Sequence, residues 1–128
     1  MILKTNYYNV RQKNEKLRIY IESQDLNISG FSIGKRYDIK NEITKEQARQ
    51  SWSQYDSLYG KLILTLNENG KRKVAIRKIS ATRCQKQACP VLDLQSNLQG
   101  FYFGSLAKVE YSENTITITN EKNYSERN

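Results

Sequence analysis

Apolar and polar residues alternate in short runs along most of this chain, and that two-residue period predicts strands. Leu17, Ile19 and Ile21 fall on one side of a run ending at Glu22. Tyr37-Asp38-Ile39-Lys40 alternates in the same way, and Leu62-Ile63-Leu64-Thr65-Leu66 is apolar and partly β-branched. Asn69-Gly70 follows, a strong hairpin signal, so Lys71 to Ile79 is expected to return as a partner strand with Val74 and Ile76 on one face. Pro90 to Leu94 reads as a strand that opens on proline, a position where the missing N–H is tolerated. Lys108–Tyr111 and Thr115–Thr119 flank Ser112-Glu113-Asn114 as a closing hairpin. Residues 120–128 are polar and are expected to form a disordered tail.

One stretch departs from the strand pattern. Between residues 41 and 60, Thr44 and Gln47 have the spacing of a weak capping box, which predicts a short helix or a structured loop. Trp52, Tyr55 and Tyr59 lie there too. Such aromatics either plate the edge of a core or form a face for a protein partner.

The sequence also repeats itself. Gly30-Phe31-Ser32-Ile33-Gly34 recurs as Gly100-Phe101-Tyr102-Phe103-Gly104. Ile19-Tyr20-Ile21 corresponds to Leu92-Asp93-Leu94, Tyr37-Asp38-Ile39 to Val109-Glu110-Tyr111, and Leu62–Leu66 to Ile116–Thr119. Each glycine frees its turn for positive φ, while each Phe plugs the core below. Three short strands cannot bury an apolar face alone, but two copies can lay their faces together and close a small barrel. The expected fold is therefore all-β, with a small α contribution in 41–60: an intramolecular pseudo-dimer of two half-barrel units. Residues 7–66 form the first unit and 90–119 the second. Residues 67–89 join them as a basic hairpin strand and loop, all within one domain of 128 residues.

These units resemble the swapped-hairpin barrels of the AbrB, MazE and SymE kind. The likeness rests on an apolar strand, Leu26, Gly30-Phe31-x-x-Gly34, a strand and Lys61-Leu62-Ile63-Leu64, with Tyr7 to Arg11 as an entry strand. The second unit, from Pro90, resembles units found in tandem in phage and mobile-element proteins. The likeness spans roughly residues 7–40 and 61–119, and departs at Asp25 and at the 41–60 insertion. It implies a swapped-hairpin pseudo-dimer, and many members bind DNA.

Charge narrows the partners. Lys and Arg total 21 against 13 Asp and Glu, a net charge of +8, which favours polyanions. Seven cations, Lys71, Arg72, Lys73, Arg77, Lys78, Arg83 and Lys86, follow one another with no acid between them. A two-stranded ribbon fits a major groove and such side chains neutralise phosphates. Lysines on a strand edge also serve simply to prevent aggregation. Arg11, Lys13 and Lys16, with Arg18, form a second basic group around a turn at Asn14-Glu15. Arg72 and Arg77 are candidates to read guanine, and Gln85 and Gln87 adenine. Tyr7, Tyr8, Tyr20 and Tyr37 suit either base stacking or strand packing.

Catalysis has little support. The chain has no histidine, which excludes Ser-His-Asp and Cys-His machinery and the common His-ligated zinc sites. Asp25 with Glu22, and Asp56 with Glu46, have no partner base. No cofactor or metal is expected. Cys84 and Cys89 have neither a redox nor a zinc spacing and are expected as reduced thiols, although a small disulfide loop is sterically possible.

No apolar run approaches the ~20 residues of a membrane span, and the N-terminus turns polar at once. A cytoplasmic protein of a prokaryote or a phage-infected host is expected, working as a monomeric pseudo-dimer or a homodimer. The function expected first is nucleic-acid binding, to DNA rather than RNA, as a regulator or nucleoid-type binder. One alternative is a mobile-element inhibitor of a host defence system, anti-CRISPR or anti-restriction, acting on an acidic or nucleic-acid-handling protein. A second is a SymE-like toxin.

Overall fold

In the computed structural model the described residues are 1–50, 59–77 and 88–121, with the side chains of 48–50 left aside. The chain is all-β, with two antiparallel sheets. Its strands are β1 (Lys4–Asn9), β2 (Arg11–Lys13), β3 (Lys16–Glu22), β4 (Arg36–Asn41), β5 (Lys61–Leu66), β6 (Arg72–Lys73), β7 (Ala75–Arg77), β8 (Cys89–Leu94), β9 (Leu106–Ser112) and β10 (Thr115–Asn120). A 3-10 segment covers Gln24–Ser29 and a short helix, α1, Lys45–Gln50. The helix opens on a reciprocal capping box: the Gln47 amide donates to Thr44 Oγ1 at 3.1 Å and the Thr44 amide to Gln47 Oε1 at 3.0 Å. Among the described residues no helix is long and apolar enough to cross a membrane.

One sheet has six strands in the order β1-β9-β10-β5-β4-β6 and the other four in the order β2-β3-β8-β7. Alternation sends Leu62, Leu64, Val109, Tyr111, Ile116 and Ile118 inward from the first sheet, and Ile19, Ile21, Leu92 and Leu94 inward from the second. They form one core, and fully burying each such side chain is worth roughly 1.5–3 kcal/mol. Phe31 and Phe101 are completely buried, each just after a glycine at φ 81° or 85°.

The sheets do not close into a barrel, contrary to the expectation of half-barrels that complete one another. The six-stranded ladder ends at β1 and β6, and the four-stranded one at β2 and β7. The chain passes between sheets at two buried valines, leaving one ladder before it joins the other. Val10 lies between β1 and β2, and Val74 between β6 and β7.

The expected hairpin from Leu62–Leu66 into Lys71–Ile79 is also corrected. Both edges of β5 are already occupied, by β4 and β10. The Asn67–Gly70 turn instead wraps over β4. Asn67 Nδ2 donates to Asp38 Oδ2 at 2.6 Å, and Gly70 packs so closely on the Tyr37 backbone that a Cβ would lie 2.5 Å from its carbonyl oxygen. The chain thus arrives on the far side of β4, where Arg36 faces Lys73 and Tyr37 faces Arg72. Beyond it the strand breaks at Val74, so Val74 is buried while Ile76 is exposed, rather than sharing a face. At the other end of the chain, β10 extends to a buried Asn120 and the Glu121 amide is bonded to Leu106 O, so the first two residues of the expected tail are ordered. Residues 122–128 lie outside the described residues.

The ladders follow a two-fold rule. Reading each sheet backwards exchanges β1 with β6, β9 with β4, β10 with β5, β2 with β7 and β3 with β8. The registers agree: Ile19 pairs with Leu94 as Ile21 pairs with Leu92, with Tyr20 opposite Asp93 between them. Arg11 opposite Arg18 matches Ala75 opposite Val91. In the larger sheet Thr117 opposite Ile63 is the midpoint. Tyr37 takes the position equivalent to Ala107, two residues from the match that sequence similarity suggests, because the turns fix the register.

Candidate nucleic-acid interface

A two-residue turn at Asn14 and Glu15 joins β2 to β3, with φ of 51° and 67°. Positive φ at both central positions is what a tight hairpin needs if its twist is to match the strands. Asn tolerates this region; Glu15 occupies it at a cost of roughly 1 kcal/mol. The turn sets Lys13 opposite Lys16 and Arg11 opposite Arg18. Since Leu17, Ile19 and Ile21 point inward, these four cations share the outer face. Like charges directly opposite one another destabilise a sheet, so this ribbon is built against its own stability.

Only one of the four forms an ion pair among the described residues. Arg18 Nε and Nη2 each donate to Asp93 across the β3–β8 ladder, both at 2.9 Å. That fork raises the Arg18 pKa and holds the Asp93 carboxyl below its ordinary range, with burial opposing both shifts. The Arg18 guanidinium also lies 4.5 Å from the centre of the Tyr20 ring, a cation–π distance. Arg11, Lys13 and Lys16 are exposed and form no ion pair among the described residues.

The second basic stretch is divided. Lys71 is exposed beside the Asn67–Gly70 turn, its amide 3.4 Å from Asp38 Oδ1. Arg72, half-buried at the edge of the six-stranded sheet, donates to Ser96 Oγ at 2.7 Å. Lys73 passes over Gly34 and borders a groove of about 440 Å³ with Ile33, Val74, Ala75 and Ile76. Arg77 lies in the other sheet, so it does not share a strand face with Lys73 as simple alternation suggests; the buried Val74 separates them. Arg77 Nη1 donates to Glu22 Oε1 at 2.8 Å, and Tyr20 Oη donates to the same oxygen at 3.0 Å. These contacts raise the Arg77 pKa, Glu22 contributing most. Arg11 and Lys13 lie on β2 and Arg77 on β7, at opposite edges of one face.

The chain matches no protein-family model, no curated protein and no solved structure. The chemistry of the face itself therefore carries the functional reading.

Lys78, Arg83, Lys86, Gln85 and Gln87 of the basic run lie outside the described residues, as do Trp52, Tyr55 and Cys84. Tyr59, the described member of the aromatic trio, is 37% exposed just ahead of β5. Cys89 carries a free, buried thiol whose pKa is raised by burial. Of the tyrosines considered for stacking, Tyr37 is buried in the core, Tyr20 is half-buried beneath Arg18, and Tyr7 is exposed. Sequence reading placed Arg18 in the basic group but had no signal for the Asp93 that engages it, since the two meet only through β3–β8 pairing.

Proposed function

We propose that this protein binds nucleic acid, DNA in preference to RNA, through the β2–β3 ribbon, and acts as a regulator or nucleoid-type binder. The observation that carries this reading is the stacked pair of like-charge rows, Lys13 with Lys16 and Arg11 with Arg18. Phosphates relieve that repulsion, and three of the four cations form no ion pair among the described residues. A two-stranded ribbon also has the width a major groove of ~12 Å admits.

The two-fold rule in the ladders supports a second element of the proposal: the fold is a fused pair of swapped-hairpin units of the kind the sequence resembles. The halves are then 4–66 and 72–120, so β6 and β7 belong to the second half in the positions of β1 and β2.

The test is binding of the purified protein to labelled duplex DNA, single-stranded DNA and RNA at roughly 50 and 200 mM salt. About three phosphate contacts weaken duplex binding about fortyfold over that range. Duplex affinity above that for the other two, with this salt loss, is the expected result. No binding to any of the three overturns the proposal.

A further inference from the structure

We propose a second binding site, in the groove between Ile33 and Ile76: it takes an extended acidic segment of a partner protein, which pairs with β7 as an added strand. This site is separate from the β2–β3 ribbon and does not rest on the DNA reading.

The backbone sets its geometry. β7 ends the four-stranded sheet, with β8 on one side of it. In an antiparallel pair each residue directs its N–H and C=O to the same side, and successive residues alternate. Ile76 lies opposite Pro90, which has no N–H and whose carbonyl accepts from the Ser23 amide at 3.3 Å, on the β3 side. The Ile76–Pro90 pair therefore exchanges no bond, and the Ile76 N–H and C=O both point away from β8, to the open edge. Two residues earlier that side of the chain is already paired. The Val74 amide donates to Lys35 O at 2.8 Å, and the Gly34 amide to Val74 O at 3.1 Å. Gly34–Lys35 thus begins a line of pairing that an incoming chain continues past Ile76.

The side chains select what enters. The groove beside this edge has a volume of about 440 Å³ and is lined by Ile33, Gly34, Lys73, Val74, Ala75 and Ile76. Ile33 and Ile76 are 40% and 48% exposed. Strand addition draws affinity from main-chain bonds and specificity from pockets for alternate side chains, and this pocket selects apolar ones. Charge selects the residues between them. Lys73 lines the groove, Lys35 follows Gly34, and Lys71 precedes β6; all three are exposed and form no ion pair among the described residues. The chain beyond β7 adds Lys78, Arg83 and Lys86 and holds no acid before Asp93. Phosphates would also meet these cations, but they would leave Ile33, Ile76 and the Ile76 backbone groups without partners. A peptide with carboxylates between apolar residues satisfies all of them.

The experiment measures fluorescence anisotropy of a labelled peptide of about seven alternating Glu and Val residues, titrated with the full chain. Its comparisons are the same peptide with Lys in place of Glu, the same peptide with its Val nitrogens methylated, and the variant Ile76→Gln. That variant installs the residue of the two-fold counterpart, Gln12, at an exposed position, and near-native circular dichroism is required of it. The expected result is binding of the Glu–Val peptide that weakens about tenfold or more in each comparison, with amide shifts centred on Ile76. Equal affinity for the Lys–Val peptide overturns the acidic partner, and equal affinity for the methylated one overturns strand addition. Undiminished binding to Ile76→Gln overturns the groove as the site. No binding at about 1 mM peptide, or duplex DNA that displaces the peptide and itself shifts Ile76, overturns the proposal as a whole.

Discussion

Arg18 reaches from β3 across to β8 and takes both carboxylate oxygens of Asp93, each at 2.9 Å, at the inner end of the cationic ribbon. Among the described residues, Asp93 is thus the one acid ion-paired to this set of cations, and it competes with DNA for Arg18. Replacing it with Asn removes the competing charge and frees the fourth cation. Asp93→Asn is expected to tighten duplex binding severalfold at low salt and to steepen the salt slope by up to about 0.9, measured by fluorescence anisotropy. Weaker binding would show that the fixed position of Arg18 matters more than its charge.

Acid stability follows from the same pair. The folded pKa of Asp93 is lowered, first by Arg18, and that of Asp25 first by Asn6 and then by Lys4. Carboxyls with lowered folded pKa values favour the folded state above their unfolded value of about 3.9, and that contribution is lost as pH falls through the folded value. Urea midpoints are therefore expected to fall below about pH 4, and to fall less steeply in Asp93→Asn and in Asp25→Asn.

At alkaline pH the sign reverses. Burial raises the pKa of Tyr111 strongly and that of Tyr37 as well, against the opposing contacts of Asn6 and Arg72. The neutral phenol is favoured in the fold, so stability is full below the unfolded value of about 10 and declines above it. Phenolate absorbance is expected to show Tyr111 and Tyr37 titrating only as the chain unfolds. Tyr111→Phe should remove one of them.

Much of the fold is legible in the alternation of residues such as Leu17, Ile19 and Ile21, because burial on one face imposes a period of two. The Thr44–Gln47 cap and the β9–β10 hairpin are equally local. What fails is pairing between distant strands. Asn69-Gly70 has the chemistry of a hairpin turn, yet β10 occupies the edge of β5 that the hairpin needed. The site shows the same division. Arg11, Lys13 and Lys16 stand out as a basic group around a turn, whereas the contacts of Arg18 with Asp93 and of Arg77 with Glu22 join residues far apart in the chain.

Two glycines with equivalent backbone angles should respond differently to alanine. At Gly100 (φ 85°) a Cβ would lie 2.4 Å from the Gly60 nitrogen, whose N–H donates to Gly100 O at 2.9 Å. Gly104 (φ 83°) has nothing within 4 Å. Gly104→Ala is expected to cost about 1 kcal/mol for conformation alone. Gly100→Ala should cost about 3 kcal/mol or more, because backbone must move as well. Chemical denaturation of the two variants measures the difference, and equal losses would contradict the close approach.

The most direct measurement is to follow backbone amide resonances as a short DNA duplex is titrated into the protein. The largest shifts are expected over Arg11–Arg18, with smaller ones at Tyr20 and Asp93 and little change over Ala75–Arg77. Shifts centred on the β6 edge or on the Ile33–Ile76 groove, with Arg11–Arg18 unmoved, would contradict the ribbon as the binding site.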